Sequence, residues 1–270
     1  MAIKHLRLPL KVFLIALFAS SLMSAVCSDA SENVIFSSSS AATMLLRNLG
    51  ALDRVVAVDR YGKQIPGTEK IIADPSMEKL AELKVNHALV WSYQSALSER
   101  LKQHGIHVTL IHPMRIATYP EFVRTIAAVA GKKAKGEEII ARFRAATPIK
   151  REHFTSRPRV YFELYSPFKS VTNESYLGDL LELSGGENIL VKSQTNSASS
   201  EFVIKSGPEV ILCLSGGATP EEIAKRPGFA ELPAVKNGRI FTVDRLKVLE
   251  GADPTEAVNY LKNLIHRGEK

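Results

Sequence analysis

MEKLAELKVNHALVW, residues Met77 to Trp91, reads as a short amphipathic helix that turns into a buried strand. Asp74 and Pro75 precede it as cap and first-turn residues, and Met77, Leu80 and Leu83 share one helical face. HALVW is then an apolar run of strand length. The unit recurs. SEFVIKSGPEVILCL, residues Ser200 to Leu214, aligns with it without a gap and places Glu201 on Glu78. A helix–turn–strand unit found once in each half of a chain calls for two similar α/β halves.

The alternation extends outward from both copies. SSSSAATMLLRNLG carries Ala42, Leu45, Leu46 and Leu49 on one helical face behind capping serines, and it stops at Gly50. VVAV, HALVW and VTLIH are strands separated by helices, which implies a mainly parallel sheet covered on both faces. The middle is different. Thr118 and Glu121 suggest a capping box for YPEFVRTIAAVAG, and KKAKGEEIIARFRAA gives a second helical pattern. After Pro158 the alternation resumes with VYFEL, VILCL and IFTV as strands. The expected organisation is a leader over 1–30, an α/β lobe over 31–118, a rigid helical connector over 119–156 and a second α/β lobe over 157–270.

The chain has 270 residues, 45% hydrophobic and 23% charged, enough for a sizeable core. A formal charge of +7 without any basic block gives no argument for nucleic acid. Lys4, Arg7 and Lys11 followed by VFLIALFASSLMS and small residues have the order of a secretory signal, with cleavage expected after Ala30. Periplasmic or other extracytoplasmic placement follows. Cys27, preceded by Val26, is a weaker expectation of a lipid anchor, and Cys213 alone would remain in the mature chain, inside an apolar strand.

Several strands break off abruptly into polar, aromatic or basic residues. VVAVDRY ends at Arg60 and Tyr61, HALVWSY at Trp91 and Tyr93, VTLIHPMR at Arg115, and IFTVDR at Arg245. VYFELYSPF, with Lys169 behind it, supplies Tyr165 and Phe168. Ligands bind open α/β sheets beyond the carboxyl ends of their strands, and domain interfaces favour pockets. These residues therefore mark a shared inter-lobe cleft: arginines and Lys169 for an anion, flat rings for an aromatic or macrocyclic body.

Five stretches, in order, carry a family resemblance: SSSSAATMLLRNLGALDRVVAVDRY, PSMEKLAELKVNHALVW, YFELYSPF with LLELSGGENI, SSEFVIKSGPEVIL, and RPGFAELPAVKNGRIFTVD. The chain resembles the periplasmic substrate-binding proteins of ABC importers for iron-siderophore complexes, haem and cobalamin, whose lobes are joined by one long helix. The resemblance implies a monomeric receptor, not an enzyme, that delivers a metal chelate to a membrane permease driven by a cytoplasmic ATPase. It also implies that Glu78 and Glu201 dock onto permease arginines. An anionic ferric siderophore suits the expected cleft, with cobalamin and haem as alternatives. Trp91 as the one tryptophan counts against cobalamin, and haem would want Tyr61, Tyr165 or His112 on its iron.

His104, His107 and His112 are close in sequence but are expected to diverge, so no bare-metal site and no resident cofactor are expected. Enzyme motifs are missing: Ser215 in CLSGG lacks the leading glycine of a nucleophile elbow, and neither dinucleotide nor phosphate-loop glycine pattern occurs.

Overall fold

Val34, Ile35 and Phe36 form a short apolar run, and the three-residue strand that starts at Ile35 is the centre of the first sheet. In the computed structural model, which describes residues 32–146, 154–193 and 195–268, β1 (Ile35–Ser37) leads at once into α1 (Ser40–Asn48). Next come β2 (Val55–Val58), β3 (Ile72–Ala73), α2 (Met77–Glu82), β4 (His87–Trp91), α3 (Ser95–Gln103) and β5 (His107–Ile111). Their order across the sheet is β3-β2-β1-β4-β5, with every pair parallel. Ile35 is fully buried, which is how three residues suffice for a central strand. The leader, its cleavage site and Cys27 lie outside the described residues.

Two helices follow, α4 (Tyr119–Val129) and α5 (Lys133–Ala146). They are divided at Gly131, whose φ of +65 is left-handed. These two helices pack on each other as a hairpin over the described part of the connector. Arg124 pairs with Glu137 at 2.8 Å across it, and the backbones approach so closely that a Cβ on Gly136 would sit 2.6 Å from that of Ala127. Residues 147–153 are not among those described.

The second half holds β6 (Arg159–Glu163), α6 (Tyr176–Leu183), β7 (Glu187–Asn188), α7 (Ser200–Ser206) and β8 (Val210–Leu214). After these come α8 (Pro220–Ala224), α9 (Pro233–Lys236), β9 (Ile240–Val243), α10 (Arg245–Val248) and α11 (Pro254–Ile265). The sheet order is β7-β6-β8-β9, again all parallel. The architecture is α/β, with two helix-flanked parallel sheets.

Local signals account for most helix starts, with two corrections. Ser76, not Asp74, caps α2, accepting from Lys79 N–H, while Asp74 has a left-handed φ of +45. Thr118 makes no capping box with Glu121; its hydroxyl instead accepts from the Arg115 N–H at 3.0 Å. The box does form at Thr219 and Glu222 of α8.

One hydrophobic core runs through both halves. Ile35, Leu45 and Leu89 from the first meet Phe122 and Ile126 of α4, then Phe162, Leu180 and Leu261 of the second. Each such side chain contributes roughly 1.5–3 kcal/mol when fully buried. Asn33–Lys270 accordingly form one compact unit. At the seam, Gly251 has φ +90, and a Cβ there would lie 2.1 Å from the carbonyl oxygen of Ala41 in α1. Gly251→Ala combines a left-handed backbone penalty with an unavoidable clash against backbone, so a loss of about 3 kcal/mol or more is expected. Urea unfolding of the purified variant measures it; an unchanged midpoint would show that the seam yields freely.

Candidate functional site

Arg245 begins α10 and is aimed by its neighbours. Asp244 caps the helix by accepting from Leu246 N–H, and the Arg245 N–H donates to Ser215 Oγ at 2.9 Å. The side chain then crosses to the first half, where it donates to Ser40 Oγ at 3.2 Å and Gln64 Oε1 at 3.4 Å. Its guanidinium carbon lies 5.9 Å from the Tyr61 ring centroid, and that of Arg60 lies 5.8 Å from the same ring. Burial pulls the Arg245 pKa down, opposed by the nearby Asp59 carboxylate. Burial raises the Asp59 pKa in turn, opposed by its bond from Gly62 N–H.

Aromatic surface surrounds this cation. Trp91 stacks on Tyr93 with centroids 5.6 Å apart and planes 15° apart. Tyr61, Tyr93 and Tyr165 are 52%, 69% and 69% exposed, large rings offered to whatever enters. Burial, then the charges of Glu250 and Asp59, raise the Tyr93 phenol, with Tyr165 and Tyr61 contributing in the same direction. That mutual influence puts the three tyrosines, Asp59 and Glu250 in one neighbourhood. Below them lies a cavity of about 270 Å³ lined by Tyr165, Tyr176, Arg245 and Glu250 among others. Arg60, Tyr61, Trp91, Tyr93, Tyr165 and Arg245 are therefore brought together at the strand ends.

Three expected ligand residues are engaged elsewhere. Arg115 forms a forked ion pair with Asp179 at the start of α6, donating through Nε at 2.8 Å and through Nη2, and it also reaches the Asn173 carbonyl at 3.1 Å. It clasps the two halves. Phe168, with φ +61, packs edge-on to Phe229 and under the Arg226 guanidinium, 4.9 Å from its ring. Arg226 in turn pairs with the fully buried Glu163, whose other partners are the Tyr161 hydroxyl and the Phe168 N–H. Burial alone would raise the Glu163 pKa; those partners together bring it below the usual range. Lys169 donates its ammonium to the Thr195 carbonyl at 2.7 Å.

Asp59, Tyr176 and Glu250 were not anticipated. Asp59 stands in the VVAVDRY stretch and was legible there; Tyr176 looks like a helix core residue, and Glu250 sits in a loop without a motif. His112 is exposed at the end of β5, beside a separate cavity with Leu110, Pro113 and Phe122. His104 bonds the Arg100 carbonyl at its helix end. Among the described residues no cluster could hold a bare metal ion.

Glu78 and Glu201 are both exposed and both stand two residues after a serine cap, Ser76 and Ser199. The Ser76 hydroxyl beside Glu78 holds its carboxyl below the usual value. A larger cavity, about 520 Å³, opens between Arg47, Tyr119, Arg142, Lys247 and Tyr260 and includes none of the expected ligand residues. The convergence of Arg245 with the tyrosines, not cavity size, marks the candidate site.

The sequence profile described as "Periplasmic binding protein" matches residues 35–245. The high-affinity heme uptake system protein IsdE of Staphylococcus aureus (strain Newman) is 30% identical over 111 residues, 37% of this chain. The match spans about 38% of the length of that curated relative. Among solved structures, the periplasmic heme-binding protein RhuT from Roseiflexus sp. RS-1 superposes with a TM-score of 0.76 at 22% identity, covering 87% of this chain and 98% of that one. The periplasmic heme-binding protein HutB of Vibrio cholerae gives 0.73 at 20% identity, covering 87% and 100%. At such identities the structural likeness speaks for the fold.

Arg115→Ala separates clasp from ligand residue. Its side chain is 42% exposed, so solvent screening limits the loss of the Asp179 pair to about 1–2 kcal/mol of stability. Urea unfolding should record that loss. An unchanged midpoint would show that the clasp carries no stability and return Arg115 to the cleft.

Proposed function

This chain belongs to the periplasmic binding protein family, and from that premise we propose that it captures a haem-type iron macrocycle for an ABC importer. The observation that carries the reading is Tyr61, exposed in the cleft with two guanidinium groups beside its ring. Ferric haem accepts a tyrosine phenolate as axial ligand. Arg245 and Arg60 meet the negative charge of such a ligand, and the Trp91–Tyr93 stack and Tyr165 offer flat apolar faces to the ring.

An anionic ferric siderophore fits the same cleft less well. Its several negative charges call for several free cations, and Arg115 and Lys169 are spent on protein partners. Arg245, with neutral partners only, and Arg60, whose side chain reaches Asp74 no closer than 4.0 Å, leave two guanidinium groups for a ligand with two carboxylates. The haem-binding names carried by IsdE, RhuT and HutB favour the same choice. The protein holds its ligand and presents it; no bond in the organic ring is made or broken.

Delivery rests on Glu78 and Glu201, one per half, as rim charges that orient the receptor on basic residues of the permease. The continuous core and the Arg115–Asp179 clasp favour modest motion between the halves on binding.

Titration of the purified chain with iron(III) protoporphyrin IX is expected to saturate at one per chain with a tyrosinate-type ferric spectrum. Tyr61→Phe should lose that spectrum and about tenfold or more in affinity. Binding of a ferric catecholate in its place, with no haem spectrum, would restore the siderophore reading. Glu78→Ala combined with Glu201→Ala should abolish uptake in cells and leave the titration unchanged; a weakened titration would move both glutamates into the binding machinery.

A further inference from the structure

Two groups on the cleft floor are not used by the reading above. Tyr176, at the start of α6, is 2% exposed, and its hydroxyl has no hydrogen-bond partner. Leaving such a group unpaired costs about 1–3 kcal/mol. Glu250, between α10 and α11, lines the same cavity with Tyr165 and Arg245. Its carboxyl receives the backbone N–H of Met114 from the other half, yet burial dominates and pushes its pKa up to about 7.

The groups facing Glu250 come from several elements. Arg245, on α10, and Tyr165, after β6, line the same cavity, while Tyr93, after β4, and Tyr176, at the start of α6, feel the Glu250 charge. Burial raises the phenols of Tyr93 and Tyr176, so neither changes charge near neutrality. Arg245 keeps its proton throughout that range. Glu250 is the group among these that titrates there. The cavity, about 270 Å³, lies below the usual size for a whole small-molecule site and suits the edge of a macrocycle.

We propose that Tyr176 and Glu250 form a carboxyl-recognising floor: one ligand carboxylate enters beside Arg245 and is met by the hydroxyl of Tyr176 and the neutral, donating carboxyl of Glu250. This rests on the haem-type reading, because that macrocycle carries two carboxylates. Two carboxylates sharing one desolvated site cannot both stay ionised, so capture draws one proton from solvent onto the pair. The floor thereby selects carboxylate-bearing rings over esterified or neutral ones. It also links affinity to pH: binding weakens as pH rises above the value at which free Glu250 loses its proton.

Isothermal titration in buffers of differing ionisation enthalpy reads the proton directly. With iron(III) protoporphyrin IX at about pH 8, the wild-type chain should take up close to one proton more than Glu250→Gln. Its affinity should fall about fivefold between about pH 7 and about pH 8, while that of the variant changes far less. Any proton released by Tyr61 on binding iron is common to both chains and cancels in the difference. Tyr176→Phe should lower affinity about tenfold without loss of stability, since the deleted hydroxyl has no partner in the free protein. Benzoate, titrated the same way, separates the two layers of the argument. Proton uptake with benzoate in wild type alone, without haem binding, would keep the floor and remove the haem reading. Equal proton uptake by wild type and Glu250→Gln with both ligands would overturn the floor.

Discussion

A single guanidinium ties the mouth of the cleft together. Arg245 belongs to the second half of the chain, but its side chain ends against Ser40 and Gln64 of the first. Both partners are neutral, and burial makes the charge costly there. Asp59 offsets part of that cost through space. A desolvated cation with neutral hydrogen-bond partners is incompletely compensated, and an arriving anion completes it. On the proposed function, recognition and the joining of the two sheets would use the same residue.

The rest of the cleft depends on that crossing being held at fixed length. The core passes from Ile35 through Phe122 to Leu261 without interruption, so the two sheets cannot drift apart cheaply. Gly251 against Ala41 and Arg115 on Asp179 add close contacts at two further points of the seam. The rings of Tyr61, Tyr93 and Tyr165 stay exposed because a stiff frame prevents them from closing on one another. Pre-organisation of this kind lowers the entropy lost on capture.

Legibility in the sequence followed the distance between partners. Helices announced by nearby caps and faces, such as α1 and α11, stood out, and so did most strands as apolar runs. β1 escaped because three residues carry no period, and because its place in the sheet is set by β2 and β4, which come later in the chain. The same limit divided the site residues. Tyr61, Tyr93 and Arg245 are strand-end residues that the fold brings together. Arg115 and Phe168 are strand-end residues too, but Asp179 and Arg226, some sixty positions away, claim them. Position told where those side chains begin; only the fold tells what they reach. Glu250 had neither a motif nor a strand end to mark it.

The internal repeat shows which part of the molecule is constrained in both halves. Leu80 of α2 and Val203 of α7 are buried at 1% and 0%. Residues two apart on a helix project about 200° apart, so burying either one turns Glu78 or Glu201 to solvent. Core packing thus presents the two carboxylates equivalently in both halves. The strand ends carry no such coupling between halves, and there the chemistry diverges. The first half supplies Asp59, Arg60, Tyr61, Trp91 and Tyr93, while the second supplies Tyr165, Tyr176, Arg245 and Glu250. A symmetric rim around an asymmetric cleft is what a receptor needs if its partner is constant in form and its ligand is not itself two-fold symmetric.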